Sequence, residues 1–173
     1  MSDRSDDKTA SGFDPVGSQD AVILILGTLP GQASLAAGQY YAQPRNAFWR
    51  IMGAIADAGP ELPYEERLRR LAAHRIALWD VCASATRPGS LDARIRAASV
   101  RLNDFPRFLA EHPRIEVIGF NGRKSAALFK PVVPLLADPW SHIRLVTLPS
   151  TSPAHAAMPL SGKVDCWRKA LGA

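Results

Sequence analysis

Four short apolar runs constrain the fold of this 173-residue chain more than any other feature. The first run, residues 21–26 (AVILIL), is hydrophobic at every position, as expected for a strand that is covered on both faces. Similar runs lie at residues 75–81, 115–120 and 143–148, and helical patterns separate them. Strands that alternate with helices predict a parallel, doubly wound sheet with right-handed crossovers. We therefore expect one α/β domain, which suits the length of the chain.

The helices are predicted from apolar residues that repeat at helical spacing. The first of them follows Asn46 and is expected to begin at or near that residue. The predicted helices are residues 51–58, 64–74, 102–111 and 163–171, with weaker candidates at residues 91–98 and 124–136. In the last of these, Pro131 and Pro134 are expected to shorten or break the helix, because proline removes a backbone donor and clashes with the preceding turn.

The connection between the first strand and the next helix, residues 27–47, is long and contains glycine, proline and aromatic residues. It leaves the carboxyl end of a parallel strand, which is the edge where open α/β sheets bind ligands. Loops longer than about 12 residues without structure of their own are usually functional. Four aromatic rings in or beside this connection offer flat faces to a planar ligand: Tyr40, Tyr41, Phe48 and Trp49. The alternative is a connector whose aromatic residues are only buried in the core.

Charge is divided unevenly along the chain. Residues 1–20 hold five aspartates against Arg4 and Lys8, and their polar composition predicts a disordered acidic tail before a domain at residues 21–173. Because the whole chain carries a formal charge of +5 and this tail carries −3, residues 21–173 carry +8. Such a surplus, mostly arginine, favours a polyanionic partner such as nucleic acid. A GC-rich genome would also raise arginine usage.

Composition excludes several classes of protein. No run approaches the ~20 apolar residues of a membrane span, and the first residues lack the apolar centre of a secretory signal. We therefore expect a soluble cytoplasmic protein with no membrane partner. The two cysteines, Cys82 and Cys166, are too few for a zinc site or an iron–sulphur cluster built from cysteines. Each is expected to be a buried small apolar residue.

Polar residues stand at the predicted carboxyl ends of the other strands, which meet at one edge of a parallel sheet. Burying the carboxylate of Asp80 is costly unless it is paired, and a ligand, an ion pair with Arg87 or an N-cap would each pair it. Asn121 could equally form a turn that caps the next helix. Residues 148–156 (LPSTSPAHA) offer hydroxyl and backbone N–H groups that suit phosphates, or else form a plain loop with an ST-turn.

Three segments together resemble the uracil-DNA glycosylase superfamily, in particular its hypoxanthine (deoxyinosine) DNA glycosylase branch. They are residues 27–49, with GTLPGQASL and YYAQPRNAFW, residues 77–95 (ALWDVCASATRPGSLDARI), and LPSTSPAHA. The resemblance covers about residues 21–171. It implies a three-layer α/β/α sandwich around a four-stranded parallel sheet, which agrees with the apolar runs. It also implies an enzyme that flips a deaminated base out of DNA and hydrolyses its N-glycosidic bond without a metal or redox cofactor.

The resemblance also implies where the catalytic group lies. Uracil-specific relatives carry an Asp or Asn just after the first strand, which positions the attacking water. Residues 27–31 (GTLPG) hold no such side chain, and the hypoxanthine branch implies instead the asparagine of a PxNxFW element, which is Asn46. An amide cannot accept a proton at neutral pH, so Asn46 would orient and polarise water. Asn46 also suits a helix N-cap, and the two roles can coexist.

Further roles follow from the same resemblance. Tyr41 or Phe48 would stack on the flipped base, and Asp80 would accept the N1–H of hypoxanthine or the N3–H of uracil. Leu148 stands where uracil-specific relatives have a histidine, so His155 is left to bind phosphate, assist the leaving base or pack in its loop. The remaining assignments are Gly27 and Pro30 to the base pocket, Arg45, Arg123, Lys163, Ser150 and Ser152 to DNA contacts, and Met158 to a wedge that fills the gap in the duplex.

The sequence therefore predicts a monofunctional DNA glycosylase that acts on DNA containing deaminated bases, needs no cofactor and works as a monomer. No lysine lies in the two motifs to form a Schiff base, so a strand-cleaving lyase step is not expected. Two alternatives stay open. One is a non-catalytic nucleic-acid binding module of the same fold, and the other is an enzyme that acts on free nucleosides or nucleotides.

Overall fold

The structure is a computed structural model that describes residues 9–172. Its strands are β1 (Thr9–Ser11), β2 (Ile23–Gly27), β3 (Ile76–Asp80), β4 (Cys82–Thr86), β5 (Arg101–Leu102), β6 (Val117–Asn121) and β7 (Arg144–Leu148). Its α-helices are α1 (Gln32–Ala37), α2 (Phe48–Ala56), α3 (Tyr64–Ala73), α4 (Phe105–Glu111), α5 (Arg123–Phe129) and α6 (Leu160–Leu171). The four predicted strands form a parallel sheet in the order β3-β2-β6-β7, so that prediction is confirmed.

Two hydrophobic cores, one on each face of this sheet, explain why its inner strands are apolar at every position. In β2, Ile25 packs in a core with residues of α2, α3 and α6, whereas Leu24 and Leu26 belong to a second core built on α4 and α5. Successive side chains of a strand point to opposite faces, so both sets are buried only when helices cover both faces. The result is the three-layer α/β/α sandwich that the resemblance implied.

A second sheet, which the sequence analysis did not predict, has three antiparallel strands in the order β1-β4-β5. Its first strand comes from the predicted tail, and Val16 of the same segment exchanges two backbone hydrogen bonds with Leu78 of β3, at 2.9 and 2.8 Å. Residues 9–20 therefore belong to the folded domain, and the predicted boundary at residue 21 is corrected. Backbone pairing needs no apolar side chains, which is why a polar composition misled the prediction. Residues 1–8 lie outside the described residues.

The connection after β2 is not free of structure, because it contains the short helix α1. This helix ends at Gly38, whose φ of 64° is the left-handed conformation that favours glycine at a helix end. The long helices lie close to their predicted positions. Among residues 9–172, no helix is long and apolar enough to cross a membrane.

Two weaker helix predictions are corrected. Residues 91–98 form two separate 3-10 turns, Asp92–Arg94 and Ala97–Ser99, instead of one helix. The candidate at residues 124–136 leaves the α-helical conformation after α5 and continues as a 3-10 helix, Lys130–Leu135. Two prolines within that second segment remove backbone donors, as the sequence analysis anticipated.

The two cysteines differ in their surroundings. Cys82 is buried in β4, as predicted, and burial raises the pKa of its thiol to about 11. Cys166 is exposed on α6, so the prediction that it is buried is wrong. The neighbouring Trp167 occupies the buried side of that helix instead.

The carboxyl ends of the four parallel strands meet at one edge of the sheet. Gly27 at the end of β2 lies beside Asp80 at the end of β3, and Asn121 at the end of β6 lies beside Leu148 at the end of β7. The four connections that leave these strands therefore start from neighbouring points. This edge is where an open α/β sheet is expected to hold its ligand.

Candidate active site

A cleft of about 770 Å³ opens at this edge and is lined by segments that follow all four parallel strands. The predicted site residues that line it are Gly27, Pro30, Tyr41, Arg45, Asn46, Asp80, Ser150, Ser152 and His155. Those that do not are Phe48, Arg123, Met158 and Lys163. The described residues hold no group of three or more His, Cys, Asp or Glu side chains arranged to bind a metal ion.

Asn46 lies on the wall of the cleft immediately before α2. Its side-chain Oδ1 accepts a hydrogen bond from the backbone N–H of Phe48, with 2.9 Å between the two heavy atoms. Its own backbone N–H donates to the carbonyl oxygen of Gln43, and the next N–H, of Ala47, donates to the carbonyl oxygen of Thr151, both at 2.9 Å. The N-cap residue is Ala47, one position later than Asn46, so the predicted N-cap at Asn46 is corrected, although its Oδ1 still caps the first N–H of the helix. These bonds fix the position of the Asn46 amide from two sides.

The Asn46 amide keeps hydrogen-bonding capacity for a ligand. An amide nitrogen has two N–H donors, and its oxygen has a second lone pair. Within residues 9–172 the Nδ2 group has no hydrogen-bond partner, and Oδ1 uses one lone pair on the helix. A water molecule could therefore bind to an amide whose orientation is already set. Fixed orientation is the property that a group needs to direct an attacking water.

Asp80 carries a buried carboxyl group that has no hydrogen-bond partner among the described residues. Only 4% of the residue is exposed, and its Oδ2 atom is buried without a partner. Burial, followed by the negative charge of Asp92, raises the pKa of Asp80 to about 7, although Arg87 acts in the opposite direction. Arg87 makes its ion pair with Asp92, not with Asp80. An unpaired buried carboxyl group at a cleft is expected to serve a ligand.

The hydroxyl group of Tyr41 is a second polar group without a partner, and it lies near the carboxyl group of Asp80. Its hydroxyl group is buried and has no hydrogen-bond partner within the described residues. A methyl group built on Gly27 would lie 2.5 Å from Oδ1 of Asp80 and 2.9 Å from the hydroxyl oxygen of Tyr41. Gly27 therefore leaves a gap between the two polar groups that any side chain would fill. The sequence placed Gly27 in the pocket but gave no sign of this arrangement.

Phe48 is not available to stack on a base, so that prediction is corrected. It is fully buried, and its ring stacks on the ring of Tyr41 with 3.9 Å between centroids and 19° between planes. Trp49 and Trp167 pack against it edge to face. Apolar residues at helical spacing put this position of α2 into the core. The same stack covers one face of the Tyr41 ring.

Asn121 and Thr151 form a brace across the floor of the site that the sequence analysis missed. The Asn121 Nδ2 group donates to Oγ1 of Thr151, and the backbone N–H of Thr151 donates to Oδ1 of Asn121, both at 2.9 Å. The end of β6 is thereby locked to the loop after β7. The sequence analysis singled out Asn121 at the end of a strand, but no local pattern could identify Thr151, 30 residues later, as its partner.

Arg87 forms a second brace, whereas the sequence analysis considered it only as an ion-pair partner of Asp80. Its side chain is 2% exposed and donates to the carbonyl oxygen of Leu29 at 3.0 Å, to that of Pro30, and to the carboxylate of Asp92 at 3.1 Å. The guanidinium thus holds the segment after β2 against the segment after β4. Arginine is rarely buried, so nothing in the sequence pattern would have placed Arg87 inside.

Lys163 holds the last loop and is not free to meet a phosphate, so its predicted DNA contact is corrected. The residue is 5% exposed, and its Nζ donates to the carbonyl oxygens of Ser150 and His155, each at 2.7 Å. Burial lowers the pKa of this ammonium group. In the loop that it clamps, Ser150 and Ser152 line the cleft, and their hydroxyl oxygens accept from the backbone N–H groups of Ser152 and Ala154, as in the ST-turn that the sequence analysis considered.

The remaining predicted DNA contacts lie on the surface. Arg45 is exposed on the rim of the cleft, and His155 is exposed where the last loop lines it. Arg123 is exposed at the first position of α5, outside the cleft. Met158, the predicted wedge, is 39% exposed between the last loop and α6. Their roles on DNA stay predictions.

Comparisons with known proteins find related sequences and a related structure. A family model described as Uracil DNA glycosylase superfamily matches residues 15–171. Two curated relatives, both described as hypoxanthine DNA glycosylase, come from Methanosarcina acetivorans and Methanosarcina barkeri. They are 40% and 37% identical over 123 residues, and each alignment covers 70% of this chain and 76% of the relative.

A solved structure has the same fold. A solution NMR structure from Methanosarcina acetivorans, of a protein proposed to be a uracil DNA glycosylase, matches with a TM-score of 0.74 and 32% sequence identity. The match covers 95% of this chain and 99% of that one. The similarity therefore extends over the sheet, the helices and the connections that build the cleft.

Proposed function

This chain belongs to the uracil DNA glycosylase superfamily, and we propose that it hydrolyses the N-glycosidic bond of hypoxanthine in DNA and leaves an abasic site. One observation carries the proposal. The cleft joins an oriented amide, Asn46, to an unpartnered buried carboxyl group, Asp80. The Asn46 amide can orient an attacking water, and the Asp80 carboxyl group can form a hydrogen bond to a base. The names of the two curated relatives support hypoxanthine, and uracil is the second substrate to test.

The target base must leave the duplex to reach this cleft. Enzymes that act on a base flip its nucleotide out of the stack, at a cost that is lowest for a mispaired base. Hypoxanthine formed by deamination is mispaired. The exposed Arg45 and the hydroxyl groups of Ser150 and Ser152 line the cleft, where they can bind the phosphates on either side of the flipped nucleotide. We also propose that the chain acts on DNA as a monomer.

Asp80 supplies the base recognition in this proposal. Its ionised carboxylate accepts the N1–H of hypoxanthine, and this bond satisfies oxygens that have no partner in the described protein. Adenine presents a lone pair at N1 instead of a hydrogen, so the same carboxylate repels it. Recognition by buried polar groups discriminates strongly, because the wrong base leaves those groups unpaired.

Asn46 supplies the orientation of water. The water oxygen attacks C1′ of the deoxyribose, the bond from C1′ to N9 breaks, and its electron pair leaves with the base. The water proton passes to solvent, because a neutral amide does not accept it. The sugar passes through a state with oxocarbenium character, which favours a weakly basic, well-positioned nucleophile over a strong base. Among residues 9–172, no lysine lines the cleft, which supports hydrolysis without a lyase step.

The decisive experiment compares wild type with Asn46→Ala and Asn46→Asp on labelled duplexes that carry deoxyinosine, deoxyuridine or only normal bases. We expect wild type to excise hypoxanthine, and Asn46→Ala to lower the single-turnover rate by roughly 100-fold or more. Asn46→Asp keeps an oxygen for both the helix and the water, so it should retain more activity than Asn46→Ala. Backbone cleavage should appear only after alkali.

Two outcomes would contradict the proposal. If wild type excises neither base but binds DNA, the chain is a binding module that retains the fold. If wild type turns over free inosine and not DNA, it is a nucleoside enzyme. Circular dichroism and binding to abasic DNA serve as controls, because removing the capping contact of Asn46 is expected to cost about 1 kcal/mol of stability.

A further inference from the structure

The hydroxyl group of Tyr41 is a buried polar atom for which the proposed function gives no use so far. Its ring already packs on Phe48, and phenylalanine would make the same stack. The hydroxyl is buried, and the described part of the chain offers it no hydrogen-bond partner. A buried hydroxyl without a partner is destabilising, so it is expected to have a role that the isolated protein does not satisfy.

The backbone around Tyr41 is held in an unusual conformation that aims this side chain. Tyr41 has a φ of 54°, which is left-handed and uncommon for a residue other than glycine. The preceding residue, Tyr40, is anchored on both sides: its carbonyl oxygen accepts from Nε1 of Trp49, and its N–H donates to the hydroxyl of Tyr64, both at 3.0 Å. Strained residues held by their surroundings concentrate at functional sites.

The Tyr41 hydroxyl and the Asp80 carboxyl group flank one gap. Both come within 3 Å of the point where a side chain on Gly27 would begin, at 2.9 and 2.5 Å. The edge of hypoxanthine presents two neighbouring groups, the N1–H donor and the O6 acceptor. A carboxylate beside a hydroxyl donor is complementary to that pair. Gly27 supplies the space for the edge to enter.

We propose that the Tyr41 hydroxyl donates a hydrogen bond to the carbonyl oxygen of the flipped base, O6 of hypoxanthine, and stabilises the negative charge that reaches this oxygen as the glycosidic bond breaks. The inference rests on the proposed function and adds a catalytic residue to it. A hydrogen bond to an oxygen that gains charge strengthens in the transition state, so it raises the rate more than the affinity.

Two features of the site support this assignment. Burial, followed by the nearby Asp80, raises the pKa of Tyr41 above its usual value, although the side chain of Asn121 acts in the opposite direction, so the hydroxyl keeps its proton and remains a donor. Leu148, which is 2% exposed, precedes the proline-serine pair and has no group that could donate to a leaving base. Tyr41 supplies a donor from the opposite connection, the one after β2.

The test compares Tyr41→Phe with Tyr40→Phe on two substrates. Tyr40→Phe is the matched control, because its hydroxyl is occupied by a bond of 2.8 Å to the carbonyl oxygen of Asp14. The substrates are duplexes with deoxyinosine or with deoxynebularine, a purine nucleoside that lacks both O6 and the N1–H, so each variant is compared with wild type on the same substrate. We expect Tyr41→Phe to slow excision of hypoxanthine roughly 10-fold to 100-fold and to change excision of purine by no more than about twofold.

Tyr40→Phe should lower the melting temperature without changing the ratio of the two rates. Fluorinated 2′-arabino analogues of both nucleotides resist hydrolysis, and their binding gives the same comparison where turnover is too slow. There, Tyr41→Phe should weaken binding of the inosine analogue several-fold, less than it slows excision, and spare the nebularine analogue.

An equal effect of Tyr41→Phe on both bases, or no effect on either, would overturn the inference. Failure of wild type to excise hypoxanthine would instead refute the proposed function, so the two failures are distinguishable. Gly27→Ala is a second variant: its added methyl group blocks the gap and should abolish excision while binding to abasic DNA persists.

Discussion

Four side-chain atoms within residues 9–172 are buried without a hydrogen-bond partner, and all four belong to residues that line the cleft. They are Oγ1 of Thr28, the hydroxyl of Tyr41, Oδ2 of Asp80 and Nε of Arg87. Folded proteins pair nearly all their buried polar atoms, because leaving one unpaired costs stability. Their concentration at one place supports the proposal that a substrate pairs them when it binds.

The stability lost by burying the Asp80 carboxyl group can be measured from the pH dependence of unfolding. Its pKa in the folded protein is raised from the ordinary 3.8 to about 7. A raised pKa means that the folded state prefers the protonated acid, so the stabilising contribution is present below about pH 4 and is lost as the pH rises through 7. We expect Asp80→Asn to be more stable than wild type at pH 8 by a few kcal/mol, and similar to it near pH 4.

Urea unfolding of both proteins between pH 4 and pH 8 measures this difference. The exposed Asp165, changed to asparagine on α6, is a control for the loss of one negative charge. An Asp80→Asn protein that is destabilised equally at every pH would show that the carboxylate already has a stabilising partner in the free protein. That result would also remove the reason to assign Asp80 to a base.

Single residues were predicted from sequence with mixed success, and the reasons are physical. Asp80 could be predicted to lie at the cleft, because a carboxylate that ends an apolar strand is unusual in any fold. Phe48 was assigned wrongly, because an aromatic residue suits a base and a core equally well until its packing is known. Lys163 was assigned wrongly for a related reason: a lysine pattern does not tell whether its ammonium group meets phosphates or the protein's own carbonyl oxygens.

Among the elements, the loop after β7 is held in place by hydrogen bonds to other parts of the chain. Thr151 ties it to β6 and to the residue before α2. From α6, Lys163 clamps it at two carbonyl oxygens, and Trp167 donates from Nε1 to the carbonyl oxygen of Pro149 at 2.9 Å. This loop has a 3-10 turn as its only helical structure, so its shape is set by these bonds.

Replacing Lys163 tests whether it acts as a clamp or as a DNA contact. Lys163→Met keeps the length of the side chain but leaves two carbonyl oxygens without their donor, and we expect a loss of roughly 2–3 kcal/mol in the free energy of unfolding. Lys169→Met, on the exposed side of the same helix, should change stability by less than about 0.5 kcal/mol. A Lys163→Met protein of unchanged stability whose DNA binding has lost part of its salt dependence would favour the phosphate contact.

Helices and strands could be predicted where the pattern of apolar side chains determines the secondary structure. Three of the four parallel strands, β2, β3 and β6, are buried almost throughout, and their continuous apolar runs revealed them. The fourth, β7, is largely exposed at the edge of the sheet, and its run is interrupted by Thr147. The antiparallel strands were missed, because β4 (CASAT) is small and polar and β1 and β5 have only three and two residues. Such strands exist through backbone pairing with neighbours that no local pattern identifies.

At the scale of the whole molecule, parallel topology makes the site possible. Asn46, Asp80 and Ser150 are distant in sequence, and they meet because the strands before them end at one edge. This convergence could be predicted from strand order alone. The braces through Arg87 and through Asn121 could not, since each joins two connections whose paths depend on the complete fold.

The amino-terminal segment is the part of the whole molecule where sequence and structure disagree most, and a truncation decides between them. Residues 9–20 pair with β4 and β3, the carbonyl oxygen of Phe13 accepts from Nε1 of Trp79 at 3.1 Å, and that of Asp14 accepts from the hydroxyl of Tyr40. A chain that starts at residue 21 should therefore melt at least about 5 °C below one that starts at residue 9. It should also lose activity, because the backbone pairing with β3 and β4, whose ends border the cleft, is lost. Thermal unfolding of the two chains isolates the contribution of residues 9–20.

Equal melting temperatures and rates would restore the boundary that composition suggested, and would mean that the pairing of this segment contributes nothing to the fold or the site.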